Sequence, residues 1–478
     1  MSFGRVLLVN PPSGGEWRGI RPHIGLGYIA QALADAGVEH DVIDMNLGYK
    51  PRHLQSRIEA FRPDLVATTL LTLEYRKQYE LLARMKEENP GVALVVGGPH
   101  VTIMRDRVLK ECPAIDYGVV YEGEEAILQL SNGTRVEDIA GLLHRADGEI
   151  VYNGDRQLTK DLDRLSWPRY EKFELDRYIP EAEIYSSRGC PHLCIFCPNR
   201  IISPVFRARS PEHVLDEMEY WYGRGYRQFN FDDDNFNLIK DRVYAICDGI
   251  ERRGLKDLFL RCSNGIRADR MDRDVLARMR EVGFHYMAFG ADAGNNRMLE
   301  IVKKGETIEQ IEQAVKDATE LGYETKLLYV VGTPQETWAD VEDKVRLAER
   351  YPIQDVHFYN IIPYPGTELY DWIEENNLFL KPPEEYLNDV TCLENTPVFE
   401  TPELPKEERL KLFAYLKEVQ KRVHRRTVQR LLKGRGIVGS VAGRLIASEP
   451  VEKLFYQSTY VRKAVDRIRY RRAVKPSG

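Results

Sequence analysis

Apolar and polar positions along the first 130 residues follow two periods. Short apolar runs from Arg5 to Asn10, Val38 to Asp44, Asp64 to Thr69, Val92 to Val96 and Ile115 to Tyr121 read as strands. Between them, Ile24 to Ala36 and Tyr75 to Glu88 carry apolar residues at three- and four-residue spacing. These predict helices, one stopping at Gly37 and the other at Asn89-Pro90-Gly91. Short apolar strands that alternate with helices predict a Rossmann-like, doubly wound parallel sheet. Ligands of such sheets sit at the carboxyl ends of the strands.

The pattern then shifts. Leu142 to Arg145 and Glu149 to Tyr152 flank Asp147-Gly148 and read as a hairpin, and the polar stretch from Asp155 to Pro168 reads as a linker. From Ile184 a second alternation begins, with strands at Ile184 to Ser187, Gln228 to Phe231, Leu258 to Ser263, His285 to Phe289, Thr325 to Val331 and Asp355 to Ile361. Ser210-Pro211 is a helix start, with a capping serine and proline at the first helical position. Thr307 and Gln310 form a capping box ahead of a helix whose core face is Ile308, Ile311, Ala314 and Val315. Six consecutive strand–helix units predict a partial (β/α)6 barrel. After Asn377 the alternation ends; Pro405 to Arg426 reads as an amphipathic helix followed by shorter basic ones. The predicted division is an α/β domain at 1–135, a hairpin and linker at 136–182, a barrel at 183–377 and a small helical region at 378–478.

Composition adds location and charge. At 478 residues the chain has room for two or three domains. No apolar run reaches the ~18 residues of a membrane-spanning helix. Val6-Leu7-Leu8-Val9 is too short for the core of a signal peptide, so a cytoplasmic protein is expected. The net charge of −6 is unevenly spread: Lys421 to Gly478 holds 16 Lys and Arg against 3 acidic residues, leaving −19 on the remainder. A basic tail of this kind suits a solvated helical face or a peripheral membrane contact. No nucleic-acid partner is expected.

The chemistry is concentrated in Cys190-Pro191-His192-Leu193-Cys194-Ile195-Phe196-Cys197. Three cysteines at C-x3-C-x2-C can hold three irons of a 4Fe–4S cube and leave the fourth open to a small molecule. Structural zinc takes four Cys or His ligands, commonly as two pairs; no second pair is nearby, and His192 would need an awkward local loop. Ferredoxin-type ligation needs a fourth cysteine, but Cys112, Cys247, Cys262 and Cys392 are scattered. The spacing, with Phe196 just before the last cysteine, resembles the signature of the radical S-adenosylmethionine (SAM) superfamily. That resemblance implies that Cys190, Cys194 and Cys197 bind the cluster. SAM would chelate the open iron through its amino and carboxylate groups and be cleaved to a 5′-deoxyadenosyl radical.

Further segments carry the same resemblance. Phe231-Asp232-Asp233-Asp234-Asn235-Phe236 stands after the second barrel strand, where the family contacts the SAM ammonium, and implies Asp232 and Asp233. Ser263-Asn264-Gly265-Ile266-Arg267 is matched to the family's fourth strand, implying Asn264 and Arg267 against SAM carboxylate and ribose. Phe289-Gly290-Ala291-Asp292 is matched to the fifth, where the family pattern carries glutamate and this chain has Asp292. Val331-Gly332-Thr333-Pro334 is matched to the sixth, implying backbone at Gly332 against adenine. Pro363-Tyr364-Pro365-Gly366-Thr367-Glu368-Leu369 closes the series.

A Rossmann-like domain ahead of this barrel resembles the cobalamin-binding subgroup. Pro22-His23-Ile24-Gly25-Leu26-Gly27-Tyr28 resembles its Pro-x-x-Gly-Leu-x-Tyr segment. Thr69, Gly97, Gly98 and His100 are implied contacts to the nucleotide tail, and Glu122-Gly123-Glu124 is an acidic turn. The chain lacks the Asp-x-His-x-x-Gly of cobalamin domains with a cobalt-ligating histidine, so His23 is not expected to bind cobalt. The resemblance implies an enzyme with a 4Fe–4S cluster, SAM and cobalamin, methylating an unactivated carbon of a lipid or natural product. It also implies a reductant such as flavodoxin or ferredoxin. The alternative is a radical cyclase or rearrangement enzyme of the same architecture. tRNA methylthiotransferases carry three further cysteines in the N-terminal domain; this one has only Cys112.

Overall fold

The computed structural model describes residues 2–12, 20–389, 391 and 396–433, with side chains as far as Arg430. Cys392 and the basic segment beyond 433, which carries the expected membrane contact, lie outside the described residues.

The first sheet runs β1 (Arg5–Asn10), β2 (Glu39–Asp44), β3 (Leu65–Thr69), β4 (Ala93–Gly97), β5 (Tyr117–Val119), β6 (Leu142–Ala146) and β7 (Glu149–Tyr152). Its order is β2-β1-β3-β4-β5-β6-β7. The first five strands are parallel, and β6 and β7 add on antiparallel through β5. The hairpin expected between the domains thus extends the first sheet. Helices cover both faces, which is why β1 reads as an uninterrupted apolar run. Val6 and Leu8 join Leu26, Leu33 and Ile127 on one side. Leu7 and Val9 join Leu54, Tyr75 and Leu82 on the other.

The barrel begins at β8 (Glu181–Ile184). A two-stranded ribbon, β9 (Ser187–Arg188) with β10 (Arg207–Ala208), brackets the cysteine loop. Then come β11 (Gln228–Phe231), β12 (Phe259–Ile266), β13 (Phe284–Asp292), β14 (Glu324–Val331) and β15 (Asp355–Asn360). The six long strands are parallel and ordered as in the chain, with β8 and β15 at opposite edges, so the barrel stays open. Counted here, Asn264 lies near the end of the third barrel strand, Asp292 ends the fourth and Gly332 follows the fifth, one fewer in each case than the family numbering implies. Leu260, Cys262, Leu327, Tyr329, Val331, Val356 and Phe358 are sealed against the surrounding helices. Alternate residues on the same strands face the lumen. The helix Lys406–Lys433 adds Leu412, Phe413, Leu416, Val419 and Val423 to that core. Among the described residues, no helix is long and apolar enough to cross a membrane.

Candidate functional site

The cysteine loop leaves β9 through Gly189. Its φ is +81°, and a Cβ there would lie 2.4 Å from the Val205 carbonyl. Only glycine lets the loop fold back so tightly. The loop is held at its middle: Ile195 N–H donates to the Val302 carbonyl at 3.2 Å, and Leu369 N–H donates to the Ile195 carbonyl at 3.0 Å. Cys190, Cys194 and Cys197 are all half-buried. Burial pushes the thiols of Cys194 and Cys197 up to about 11 and about 12; Cys190 raises both further, and Cys194 also raises Cys197. The Asn235 amide lies 3.9 Å from Cys190 Sγ. Cys112, Cys247 and Cys262 are buried elsewhere. Among the described residues, no three His, Cys, Asp or Glu side chains gather to hold a single metal ion. Three soft thiol donors on one loop, with no fourth beside them among the described residues, fit a 4Fe–4S cluster with one open iron. Phe196 packs on the apolar cluster containing Ile361 and Leu369. His192 has a buried Nε2 without a partner, and burial lowers its pKa to about 4.

The strand ends divide the expected SAM contacts. Asp232 faces the lumen and takes only neutral donors: Asn230 Nδ2 at 3.3 Å, Ser263 Oγ at 3.4 Å and Tyr185 OH at 3.4 Å. Asn264 is exposed beside it and donates to the Asp233 carbonyl at 3.3 Å. Asp233 turns away from the lumen and is 4% exposed. It accepts from Ser187 N–H, Ser187 Oγ and Ser186 Oγ, so its oxygens staple the stem of the cysteine loop. Arg267 is likewise spent. Its guanidinium donates to the carbonyls of Lys304 at 2.6 Å and Gly305 at 3.0 Å and to Asp269 at 3.0 Å, which leaves no two-point clamp for a carboxylate.

Asp292 pairs with Lys304 Nζ at 2.8 Å. Lys304, which sequence reasoning missed, is a buried cation close enough to Cys194 for the two to interact electrostatically. Gly332 has φ +100°, and a Cβ there would lie 2.6 Å from the Arg409 guanidinium, so the missing side chain makes room for Arg409 rather than for adenine. The Gly332 N–H donates to Glu336 at 2.6 Å. Glu336 is ion-paired with Lys344, and both are fully buried.

Between the carboxyl ends of the first sheet and the top of the barrel lies a cavity of about 290 Å³, partly open to solvent. Thr69, Gly97 and Gly98 line its sheet side; Tyr185, Gly189 and Asp234 line its barrel side. At Gly98, φ is +92° and a Cβ would lie 2.5 Å from Thr69 Oγ1, so glycine sets how closely the β4 turn meets the end of β3. His100 does not line the cavity. It is fully buried, stacked on Tyr75 at 4.6 Å, with Tyr79 OH 2.8 Å from Nε2. Burial lowers its pKa to about 3, so it is a neutral packing element behind the turn. His23 does line the cavity, with Nδ1 accepting Leu26 N–H at 3.1 Å. Arg188 spans the two sides, bound to Glu122 at 2.8 Å and Glu124 at 2.7 Å. The spacing of these residues, 64 and 66 apart, hid that contact in the sequence.

Comparison with known proteins agrees with this geometry. The B12 binding domain family matches residues 14–131, and the radical SAM superfamily matches residues 184–348. An uncharacterized methyltransferase, PH0819 of Pyrococcus horikoshii, is 32% identical over 80% of this chain and 85% of its own length. The anaerobic magnesium-protoporphyrin IX monomethyl ester cyclase of Rubrivivax gelatinosus is 28% identical over 77% of this chain and 69% of its own. Among solved structures, the radical SAM methyltransferase TsrM of Kitasatospora setae, with tryptophan and a SAM analogue bound, superimposes with a TM-score of 0.68. It is 21% identical and covers 78% of this chain and 76% of that one, which shows a shared fold.

Proposed function

The chain belongs to the radical SAM superfamily, with a B12-binding domain ahead of its barrel, and from that premise we propose that it is a cobalamin-dependent methyltransferase. The observation that supports the reading is the cavity shared by the sheet ends and the cysteine-loop stem, where a corrin would lie beside a cluster held by that loop. Cys190, Cys194 and Cys197 hold the cluster. Asp232 and Asn264 present oxygen and amide groups to SAM above the lumen. Thr69, Gly97 and Gly98 form the wall against which cobalamin lies. When bound, these groups supply the radical and methyl-carrier chemistry, while the chain positions them and keeps water out. Asp233 holds the stem of the loop that carries the thiols, and Arg267 holds the Lys304–Gly305 turn. A small-molecule substrate and an external reductant complete the reaction.

The test is anaerobic turnover of the reconstituted protein with methyl-labelled SAM. Labelled product and S-adenosylhomocysteine forming together with 5′-deoxyadenosine support methyl transfer. 5′-Deoxyadenosine without S-adenosylhomocysteine would move the assignment to cyclisation, the chemistry named for the Rubrivivax relative.

A further inference from the structure

The barrel lumen is lined by charge, which bears on what the enzyme methylates. Glu183, Arg261, Lys326, Asp355 and His357 alternate with the sealed core residues of their strands and are each only partly buried. These groups are ordered by one another. Arg261 lies 3.4 Å from Glu181, with its guanidinium 4.5 Å from the Tyr286 ring centroid. Arg21 is bound to Glu181 and stands 3.7 Å from Glu183. Lys326 and His357 both approach Asp355, at 3.8 and 3.5 Å.

Carboxylates outnumber the Arg and Lys cations on this wall, and Glu183 has only a share of Arg21, which binds Glu181 more closely. Glu183 sits two residues below the level of Asp232, paired in register with Asn230. Burial together with the charges of Asp232 and Glu181 pushes Glu183 up to about 8, against the opposing pull of Arg21. Lower in the lumen, Glu324 Oε2 is buried and without a hydrogen-bond partner. An apolar chain entering this space would strip water from these groups and return no partner, which is strongly unfavourable.

We propose that the lumen binds a polar, water-soluble substrate whose protonated amino or guanidino group sits against Glu183, and that the substrate is not a lipid. This rests on the methyltransferase reading above and, of the lipid or natural product expected from the resemblance, keeps only the second.

The test incubates the full chain, loaded with cluster and cobalamin, with CD3-labelled SAM and an extract of cells lacking its gene. The extract is partitioned into aqueous and organic phases after reaction. Label in the aqueous phase, retained by a cation exchanger at neutral pH, is expected. Label in the organic phase, or in aqueous material that the exchanger does not retain, overturns the inference and leaves the methyltransferase reading standing. No labelled product in any fraction, with 5′-deoxyadenosine still formed, overturns both. In the Glu183→Gln variant, half-maximal labelling should need at least tenfold more extract, with SAM affinity and the cluster's EPR signal unchanged. An unchanged requirement for extract, or a loss of SAM affinity instead, overturns the assignment of Glu183.

Discussion

Arg188 and Glu122 join the two halves of the molecule two residues before Cys190, the first thiol of the cysteine loop. Their side chains meet at 2.8 Å with little exposure on either, and the Arg188 guanidinium lies 4.9 Å from the Tyr28 ring centroid. Glu124 takes the other arm of the same guanidinium, and Arg207 shares Glu122. Any shift of the B12-binding domain is therefore transmitted to the stem of the cysteine loop.

That pairing predicts strong coupling. Removing one partner leaves a charge in a poorly hydrated joint, so Arg188→Met should destabilise the chain by on the order of 3 kcal/mol. Glu122→Gln should cost less, because Arg188 keeps Glu124. The double variant should be less damaged than the sum of the two by about 1 kcal/mol or more. Urea denaturation of all four proteins measures this cycle; strict additivity would show that the two side chains do not act as a pair.

The close approach at Gly98 predicts a second sensitivity. Its backbone conformation, φ +92° and ψ −173°, is one that side-chain-bearing residues adopt at a cost of about 1–3 kcal/mol. Gly98→Ala adds a methyl group 2.5 Å from Thr69 Oγ1 and 3.1 Å from the Leu70 carbonyl, so the turn must open. Cobalamin affinity should fall at least tenfold while the iron content after reconstitution stays the same. Equal loss of iron would mean that the whole fold, not the sheet end, had given way.

How much of this was legible in the sequence follows from the range of the interactions involved. The strand–helix alternation and the cysteine spacing are local patterns, and the structure places β1 and β11 at their expected residues. The hairpin's allegiance was not legible, because β6 pairs with β5 across a helix and a turn that carry no pairing signal. Asp232 and Asp233 are neighbours with opposite fates: strand alternation sends one to the lumen and the other to the Ser186–Ser187 stem. Arg267 looked available because its consumers, the carbonyls of Lys304 and Gly305, are backbone groups 37 and 38 residues away. Arg409, whose guanidinium explains Gly332, comes from a helix beyond the barrel.

Asp233 predicts a pH dependence. Burial outweighs its three hydrogen bonds and raises its carboxyl to about 6, against about 3.9 in an unfolded chain. The folded state therefore holds this proton more tightly than the unfolded state. The corresponding stability is fully present below pH 4 and is lost as pH rises through 6, by about 2–3 kcal/mol. Asp233→Asn cannot titrate, so the stability of the wild type relative to this variant should fall between pH 4 and 7. Urea midpoints across that range measure the difference; a relative gain for the wild type on raising pH would reverse the assignment.

His23 decides how cobalt is held. The ring lies in the cavity, and burial lowers its pKa, so it is neutral. Its Nδ1 lone pair is occupied by the Leu26 N–H, which fixes the ring proton on Nε2 and leaves that nitrogen a donor. Ligating cobalt would require giving up the cap of the helix Ile24–Asp35, at about 1 kcal/mol, and moving the proton as well. The cobalt of bound cobalamin should therefore have no histidine ligand, with His23 donating Nε2–H to a peripheral oxygen of the corrin. Electron paramagnetic resonance of the cob(II)alamin-loaded protein tests this directly. Growth on 15N-histidine should leave the nitrogen splitting of the cobalt lines unaltered, and His23→Ala should lower cobalamin affinity without changing the line shape. A splitting that changes on 15N-histidine labelling would place a histidine on the metal and refute the tautomer assigned to His23.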